Sequence, residues 1–346
     1  MSAGDRLPPA GEGTSSRAPF GAAFRGEYRW TTITALAAVL VGSIDTYIVS
    51  TAMPRVLAEL GQPEFYAWVT AAFVLLQVVG LSLGGAWKDR SGFRLPFAVS
   101  VAVFCVGSIA CAAAPSMSVL VLSRAFQGLG GGGMTAIAFA AAASYPESLR
   151  LRMFALISTI WGVVAVVAPL LGGLLTDTVG WRWIFRVNPP LCLIVILIGW
   201  RGFAASSSPT ERRRLPIARA VLLAVAVGGI TAAPSAKWPL ALAPLAVGLT
   251  AAWLFSREEE RATVRVIPRG TWLGRGAVGS SMHASIFYTA AYTGAGVFLP
   301  LYLVEMRHES ATLAGLVLTT GGVSWTVGSF IASSRSRGPW PMRMVI

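Results

Sequence analysis

An aspartate stands inside one long apolar stretch, Gly42-Ser43-Ile44-Asp45-Thr46-Tyr47, and an arginine opens another, Arg124-Ala125-Phe126-Gln127-Gly128-Leu129-Gly130-Gly131-Gly132-Gly133. A carboxylate held in hydrocarbon costs several kcal/mol unless it is protonated, paired or hydrated. Asp45 is therefore either a proton-exchanging site facing a cavity or a structural carboxylate bonded to a neighbouring helix. Arg124, Gln127, Gly128 and Gly131 fall on one face of a helix. That face offers a cation, an amide and then a flat glycine surface suited to close helix contact. The glycines are not a phosphate loop, because no Gly-Lys-Ser/Thr follows them. At 1.5 Å per residue, Asp45 lies roughly 12 Å below the outer end of its helix and Arg124 roughly 8–10 Å below the same surface. The two are expected to sense each other's charge across a shared cavity, unless Arg124 snorkels to the headgroups.

A third stretch carries small residues at one helical face: Gly162, Ala165, Ala168, Pro169, Gly172 and Gly173. Such a stripe admits a neighbouring helix, and Pro169 removes a backbone donor and favours a kink. It reads as a hinge or as a packing helix. A turn, Gly84-Gly85-Ala86-Trp87-Lys88-Asp89-Arg90-Ser91-Gly92-Phe93-Arg94, gathers charge beside a glycine that permits tight reversal. Tyr47, Gln77, Gln127, Trp161, Phe287, Tyr288 and Tyr292 are candidates for contact with a substrate. Aromatic side chains of this kind attract apolar cations, and Asp45 is placed to supply the counter-charge.

These residues need elements to hold them, and composition says what the elements are. Of 346 residues, 55% are hydrophobic and only 12% charged. Soluble domains carry about 25% charged residues. The expected solvent is lipid, and the expected fold is an all-α polytopic membrane protein. A span needs roughly 20 apolar residues. Ten segments qualify, near 31–53, 66–86, 97–115, 118–143, 154–176, 187–204, 217–235, 238–256, 278–304 and 311–333. The net charge of +13 does not indicate a nucleic-acid partner, since its arginines sit in short segments between apolar runs. They concentrate in alternate loops, so both termini are expected in the cytoplasm. Residues 1–30 contain no secretory h-region. Cys105, Cys111 and Cys192 lie in apolar runs and make no disulfide or metal pattern, and the two histidines, His283 and His308, form no zinc motif. No metal or cofactor is expected, and a membrane enzyme would need a clustered nucleophile, base or metal set that the spans do not offer.

Four segments together resemble the major facilitator superfamily, in particular its fourteen-helix drug:proton antiporter branch. The turn is similar to the family's G-x-L-A-D-R-x-G-R-K motif through Gly85, Asp89, Arg90, Gly92 and Arg94, with Trp87, Lys88 and Phe93 where the motif has Leu, Ala and a basic residue. The fourth span is similar to R-x-x-Q-G-x-G through Arg124, Gln127, Gly128 and Gly130. The fifth is similar to the antiporter motif ending G-P-x-x-G-G through Gly162, Pro169, Gly172 and Gly173. The first is similar to L-D-x-T-I-V-N-x-A-L-P through Asp45, Ile48, Val49, Ala52 and Pro54. Trp181-Arg182-Trp183-Ile184-Phe185, with Asn188 and Pro189, resembles a further segment of that branch.

The resemblance implies a bacterial inner-membrane exporter of small amphipathic compounds or drugs, driven by the proton gradient without a cofactor. It implies proton coupling at Asp45 and Arg124, and a latch between halves at Gly85, Asp89, Arg90, Gly92 and Arg94. The hinge at the interface between halves would lie at Gly162, Pro169, Gly172 and Gly173. The implied organisation is a cytoplasmic tail (1–30), a six-helix bundle (31–204), two additional helices with charged linkers (205–276) and the first two helices of a C-terminal bundle (277–346). Four further helices of that bundle would complete a full member. The expectation from this length is a truncated gene product, and the alternative function is an inactive remnant or accessory membrane subunit.

Overall fold

The computed structural model describes residues 20–203, 217–232, 240–261 and 276–335. The expected linkers within 204–216 and 262–275, most of the N-terminal tail and the last eleven residues lie outside the described residues. Every regular element that is described is helical. The first six-helix unit comprises α1 (Tyr28–Leu60), α2 (Tyr66–Ser91), α3 (Arg94–Ala112), α4 (Met117–Ala143), α5 (Glu147–Thr178), and a broken sixth span of α6 (Trp183–Arg186) and α7 (Asn188–Gly202). Beyond it come α8 (Ile217–Ala232), α9 (Leu242–Arg261), α10 (Gly276–Leu301) and α11 (Ala311–Arg335), with one π-turn over Tyr302–Met306. Six of the helical segments are long and apolar enough by themselves to cross a membrane. The chain is thus an all-α, multi-pass membrane protein.

Several helices outrun the apolar windows expected of them. The first span is expected at 31–53, yet α1 continues through Arg55 and Glu59 to Leu60. Hydropathy marks where lipid ends, and charge does not stop a helix. What stops α1 is Gly61, at φ +65°, followed by Pro63. The 33 residues of α1 make a rod about 50 Å long, well beyond a hydrocarbon core of about 30 Å. In the same way α2 runs on to Gly92 at φ +75°. The sixth span breaks before Asn188, where Pro189 and Pro190 occupy the first turn of α7. A proline is tolerated there because that N–H has no intrahelical partner.

Helix α4 is the centre of the first unit, and its glycines fit it between two neighbours. A Cβ on Gly128 or Gly132 would stand 2.1 and 2.0 Å from the carbonyl oxygens of Phe73 and Gln77 on α2. A Cβ on Gly130 would stand 2.3 Å from the Phe104 nitrogen on α3. Backbones that approach this closely gain dispersion contacts and exclude lipid. Helix α1 packs on α4, α5 and α7, with Thr31 Oγ1 donating to the Gly202 carbonyl at 2.7 Å.

Helices α8 and α9 form a hairpin against α2. Glu259 is buried and accepts from Arg219 Nη1 at 3.0 Å, which ties the two at one end. Helix α11 lies along α5, at the small-residue stripe. A Cβ on Gly173 would meet the Ala311 carbonyl at 2.4 Å, and one on Gly315 the Pro169 carbonyl at 2.3 Å. Thr319 Oγ1 donates to the Val166 carbonyl at 2.8 Å. At the end of this contact Asp177 accepts from the backbone N–H and the hydroxyl of Thr312 at 2.9 and 2.7 Å, and so caps α11 from α5. Arg55 of α1 reaches the same carboxylate at 3.9 Å. Asp177→Ala should cost about 1–2 kcal/mol, the usual worth of a cap, with little from the exposed Arg55 pair. A thermal melt of the purified protein checks this, and Asp177→Asn, which keeps an acceptor oxygen, should recover most of the loss.

Candidate functional site

Asp45 and Arg124 touch. Arg124 Nη1 donates to Asp45 Oδ2 at 2.5 Å, with the aspartate fully enclosed and the arginine 2% exposed. The expectation of two charges facing each other across a cavity is corrected to a direct ion pair. Snorkelling is excluded by the same contact. Depth along two helices was enough to place the groups on one level. Their azimuth, set by the α1–α4 packing, then turns them onto each other.

Three further side chains close the site. Gln127, one turn from Arg124 on α4, gives its carbonyl to Arg124 Nη1 at 2.6 Å and its amide to Asp45 Oδ1 at 2.8 Å and Ser108 Oγ at 2.7 Å. Asn188, at the first position of α7, donates to Asp45 Oδ1 at 3.0 Å and to Ser108 Oγ at 3.1 Å. Ser108 of α3 passes its own proton to the Phe104 carbonyl at 3.0 Å. Cys111 approaches the Gln127 carbonyl at 3.6 Å. The Phe73 ring face lies 4.0 Å from the guanidinium carbon, and Phe185 of α6 lies 5.8 Å away. The cation therefore rests between a carboxylate and aromatic faces, although its Nε has no hydrogen-bond partner. Four helices, α1, α3, α4 and α7, each contribute a polar group to a core that is otherwise apolar. Gln127, expected to touch substrate, is fully buried in this network.

Ser108 and Asn188 were not expected at the site. Serine is too common in spans to signal anything. Asn188 did carry a signal: it is the single asparagine in the 346 residues.

The aromatic candidates gather on the opposite side of α1. The Tyr47 and Trp161 rings meet edge to face at 6.2 Å, and Tyr288 and Tyr292 stack at 5.9 Å. Helix α10, which carries Tyr288 and Tyr292, packs against α1, which carries Tyr47. Helices α1, α5 and α10 thus bring four of the candidates together. Phe287 is not among them; it is 74% exposed. Gln77 is half-buried on α2, with its carbonyl oxygen against Gly132. Asp45 does not face this cluster as a counter-charge, since its oxygens are turned into the network two residues earlier on the same helix.

At the α2–α3 turn Gly92 reverses the chain and donates its N–H to the Lys88 carbonyl at 2.9 Å. Asp89 pairs with its neighbour Lys88 at 2.6 Å, and Arg94 stacks on Trp200 of α7 at 3.7 Å. Gly85 has open space beside it, and Arg90 sits in the last turn of α2. No bridge from Asp89 or Arg94 to the second half is seen among the described residues. Both engage the first unit, and Lys88, which stands where the motif has alanine, takes Asp89. In the α5 stripe, Gly172 packs on the Ile48 carbonyl and the Thr51 hydroxyl of α1, Gly173 packs on α11, and Gly162 and Pro169 lie on the same helix. The stripe thus serves two neighbours at once.

Comparison with known proteins identifies the family. The family model for the Major Facilitator Superfamily matches residues 35–346. The chain belongs to the major facilitator superfamily. A protein of Bacillus subtilis named multidrug resistance protein 3 is 27% identical over 308 residues, which is 86% of this chain and 59% of that one. An uncharacterised MFS-type transporter of Mycobacterium tuberculosis is 33% identical over 290 residues, covering 80% of this chain and 41% of its own. The chain therefore spans about half the length of these relatives. Among solved structures, a bacterial homologue of the human lysosomal transporter Spinster aligns with a TM-score of 0.62 at 17% identity, over 90% of this chain and 63% of that one. Family and relatives set the chain among transport proteins rather than enzymes.

Proposed function

We propose that this chain is part of a secondary transporter that exports small amphipathic compounds, drugs among them, in exchange for protons across a bacterial cell membrane, with both termini in the cytoplasm. The observation that carries this reading is the position of α1. It holds a fully buried carboxylate on one face and, two residues on, an aromatic side chain in a cluster with α5 and α10. Neutralising Asp45 removes its charge–charge attraction for Arg124, leaving at most a hydrogen bond, and so changes what α1 gains from packing on α4. Tyr47 moves with α1. Proton uptake and the shape of the aromatic cluster are then coupled through one rigid element. Rings stacked in pairs suit flat, apolar cations. The α5 stripe, against α1 and α11 together, is the surface on which one unit rocks against the other, with Pro169 as its hinge. The proton gradient supplies the energy.

The test is transport by the purified chain in proteoliposomes. An imposed pH gradient should drive a lipophilic fluorescent cation such as ethidium across the membrane. Asp45→Asn should abolish the dependence on the gradient. Tyr47→Ala with Trp161→Ala should raise the half-saturating dye concentration about tenfold, the loss expected from one or two cation–π contacts. Dye movement that ignores the gradient in the unaltered chain would refute proton coupling. Dye binding without movement would favour the accessory-subunit reading.

A further inference from the structure

We infer that Asn188 is the amide that reverses its role when Asp45 takes up a proton, donating to the charged carboxylate and accepting from the neutral acid. The inference rests on the reading of Asp45 as a proton site, and it follows from counting donors and acceptors. Gln127 spends both amide hydrogens, on Asp45 Oδ1 and Ser108 Oγ, and both lone pairs of its carbonyl, on Arg124 Nη1 and Cys111. Ser108 accepts from Gln127 and Asn188 and donates to the Phe104 carbonyl, so its hydroxyl is full. Asn188 spends both amide hydrogens as well, on Asp45 Oδ1 and Ser108 Oγ. Around Asp45 every contact is a donor pointing inwards: Arg124, Gln127 and Asn188. The arrangement fits a carboxylate.

A protonated carboxyl is different, because it must donate one hydrogen bond of its own. Ser108 has no lone pair left to receive it. Gln127 cannot turn over without aiming its NH2 group at the Arg124 guanidinium, which would set donor against cation. Asn188 has no such tie to Arg124. Rotation of its amide brings Oδ1 to the new O–H and also against Ser108 Oγ, whose hydroxyl turns from the Phe104 carbonyl to donate to it, so that Oδ1 accepts from both. The remaining titratable and charged groups that face Asp45 are Arg124 of α4, Cys111 of α3 and Cys192 of α7, and neither thiol can replace an amide carbonyl as an acceptor. The position matters too. Asn188 opens α7 directly after the α6 break, three residues along the chain from Phe185, whose ring faces Arg124. A change in its hydrogen bonding therefore falls where the sixth span is already interrupted.

Because the chain has one asparagine, isotope labelling reports on this side chain alone. The protein is expressed with asparagine carrying carbon-13 at its side-chain carbonyl, reconstituted in lipid, and followed by infrared difference spectroscopy from pH 4 to 9. The labelled carbonyl band should shift with the same midpoint as the band of the Asp45 carboxyl. In Asp45→Ala it should not move with pH at all. Asn188→Leu, which removes donor and acceptor together, should move the carboxyl midpoint upward by about one pH unit, because a hydrogen bond to the charged form is the stronger of the two lost. A labelled band that stays still while the carboxyl titrates would overturn the reversal and leave the proton-site reading standing. A carboxyl that does not titrate anywhere in this range would overturn both.

Discussion

Arg124→Ala should destabilise the protein in a pH-dependent way, and Asp45→Asn should destabilise it without pH dependence. Each change strands the other partner in an enclosed site, and breaking a buried pair typically costs about 3–5 kcal/mol. The two stranded groups have different ways out. A carboxyl without its guanidinium is stable in the enclosed site only as the neutral acid, while the unfolded chain carries it ionised near neutral pH. The folded state then binds one more proton than the unfolded state. Stability must fall as pH rises, by about 1.4 kcal/mol per unit across that window. At low pH most of the loss should be recovered. A guanidinium without its carboxylate has no neutral form to adopt, so the cost of Asp45→Asn should stay level from pH 5 to 8, softened only by the Phe73 face. Unfolding of the purified variants in mixed detergent micelles at several pH values measures both slopes. The double variant Asp45→Asn with Arg124→Leu should be more stable than either single one, since it buries no unpaired charge. A flat profile for Arg124→Ala, or equal losses that simply add in the double variant, would show that the contact is not an ion pair in the folded protein.

This asymmetry explains why the pair was half legible in the sequence. Asp45 and Arg124 announce themselves by type, because a charge in an apolar run demands a reason. Their common depth follows from counting residues at a fixed rise. Contact does not follow, because the angle about each helix axis depends on which neighbour it packs against. The rest of the network is hidden for a different reason. Gln127 stands out beside Arg124 on one helical face, but nothing in that face says that its amide turns to Asp45 rather than to a substrate. Ser108 is uncharged, and a span can satisfy such a hydroxyl against its own backbone, as Thr46 and Ser123 do here. Helix positions were legible because apolar length is a direct demand of the bilayer. Helix ends were less so, because α1 and α2 stop at Gly61 and Gly92, several residues past the apolar windows expected of them, and a hydropathy window does not weigh backbone torsion. The motif at the α2–α3 turn shows the opposite limit. Asp89 and Arg94 stand where the family pattern puts them, yet Lys88 and Trp200, outside that pattern, decide which partners they take.

The glycine run of α4 makes the sharpest test of packing read from coordinates. Four identical residues, Gly130 to Gly133, follow one another, and nothing in their order tells them apart. Their surroundings do. A methyl on Gly132 would lie 2.0 Å from the Gln77 carbonyl oxygen and 2.7 Å from the Leu81 nitrogen, both backbone atoms of α2. Neither can move without the helix moving. A methyl on Gly131 would lie 3.4 Å from the edge of the Phe104 ring, an ordinary contact. Gly132→Ala should therefore push α2 and α4 apart along the interface that also carries Gly128 against Phe73, and Phe73 is the ring that faces Arg124. The expected loss is about 3 kcal/mol, the upper part of the range for overpacking. Gly131→Ala should be neutral or gain about 0.5 kcal/mol, since alanine replaces the least favourable ordinary residue of a helix interior. Adjacent positions, the same chemical change and opposite signs leave little room for a general effect of added bulk. Melting midpoints of the two variants side by side decide it, and equal losses at both sites would mean that α4 does not sit against α2 at the closeness described.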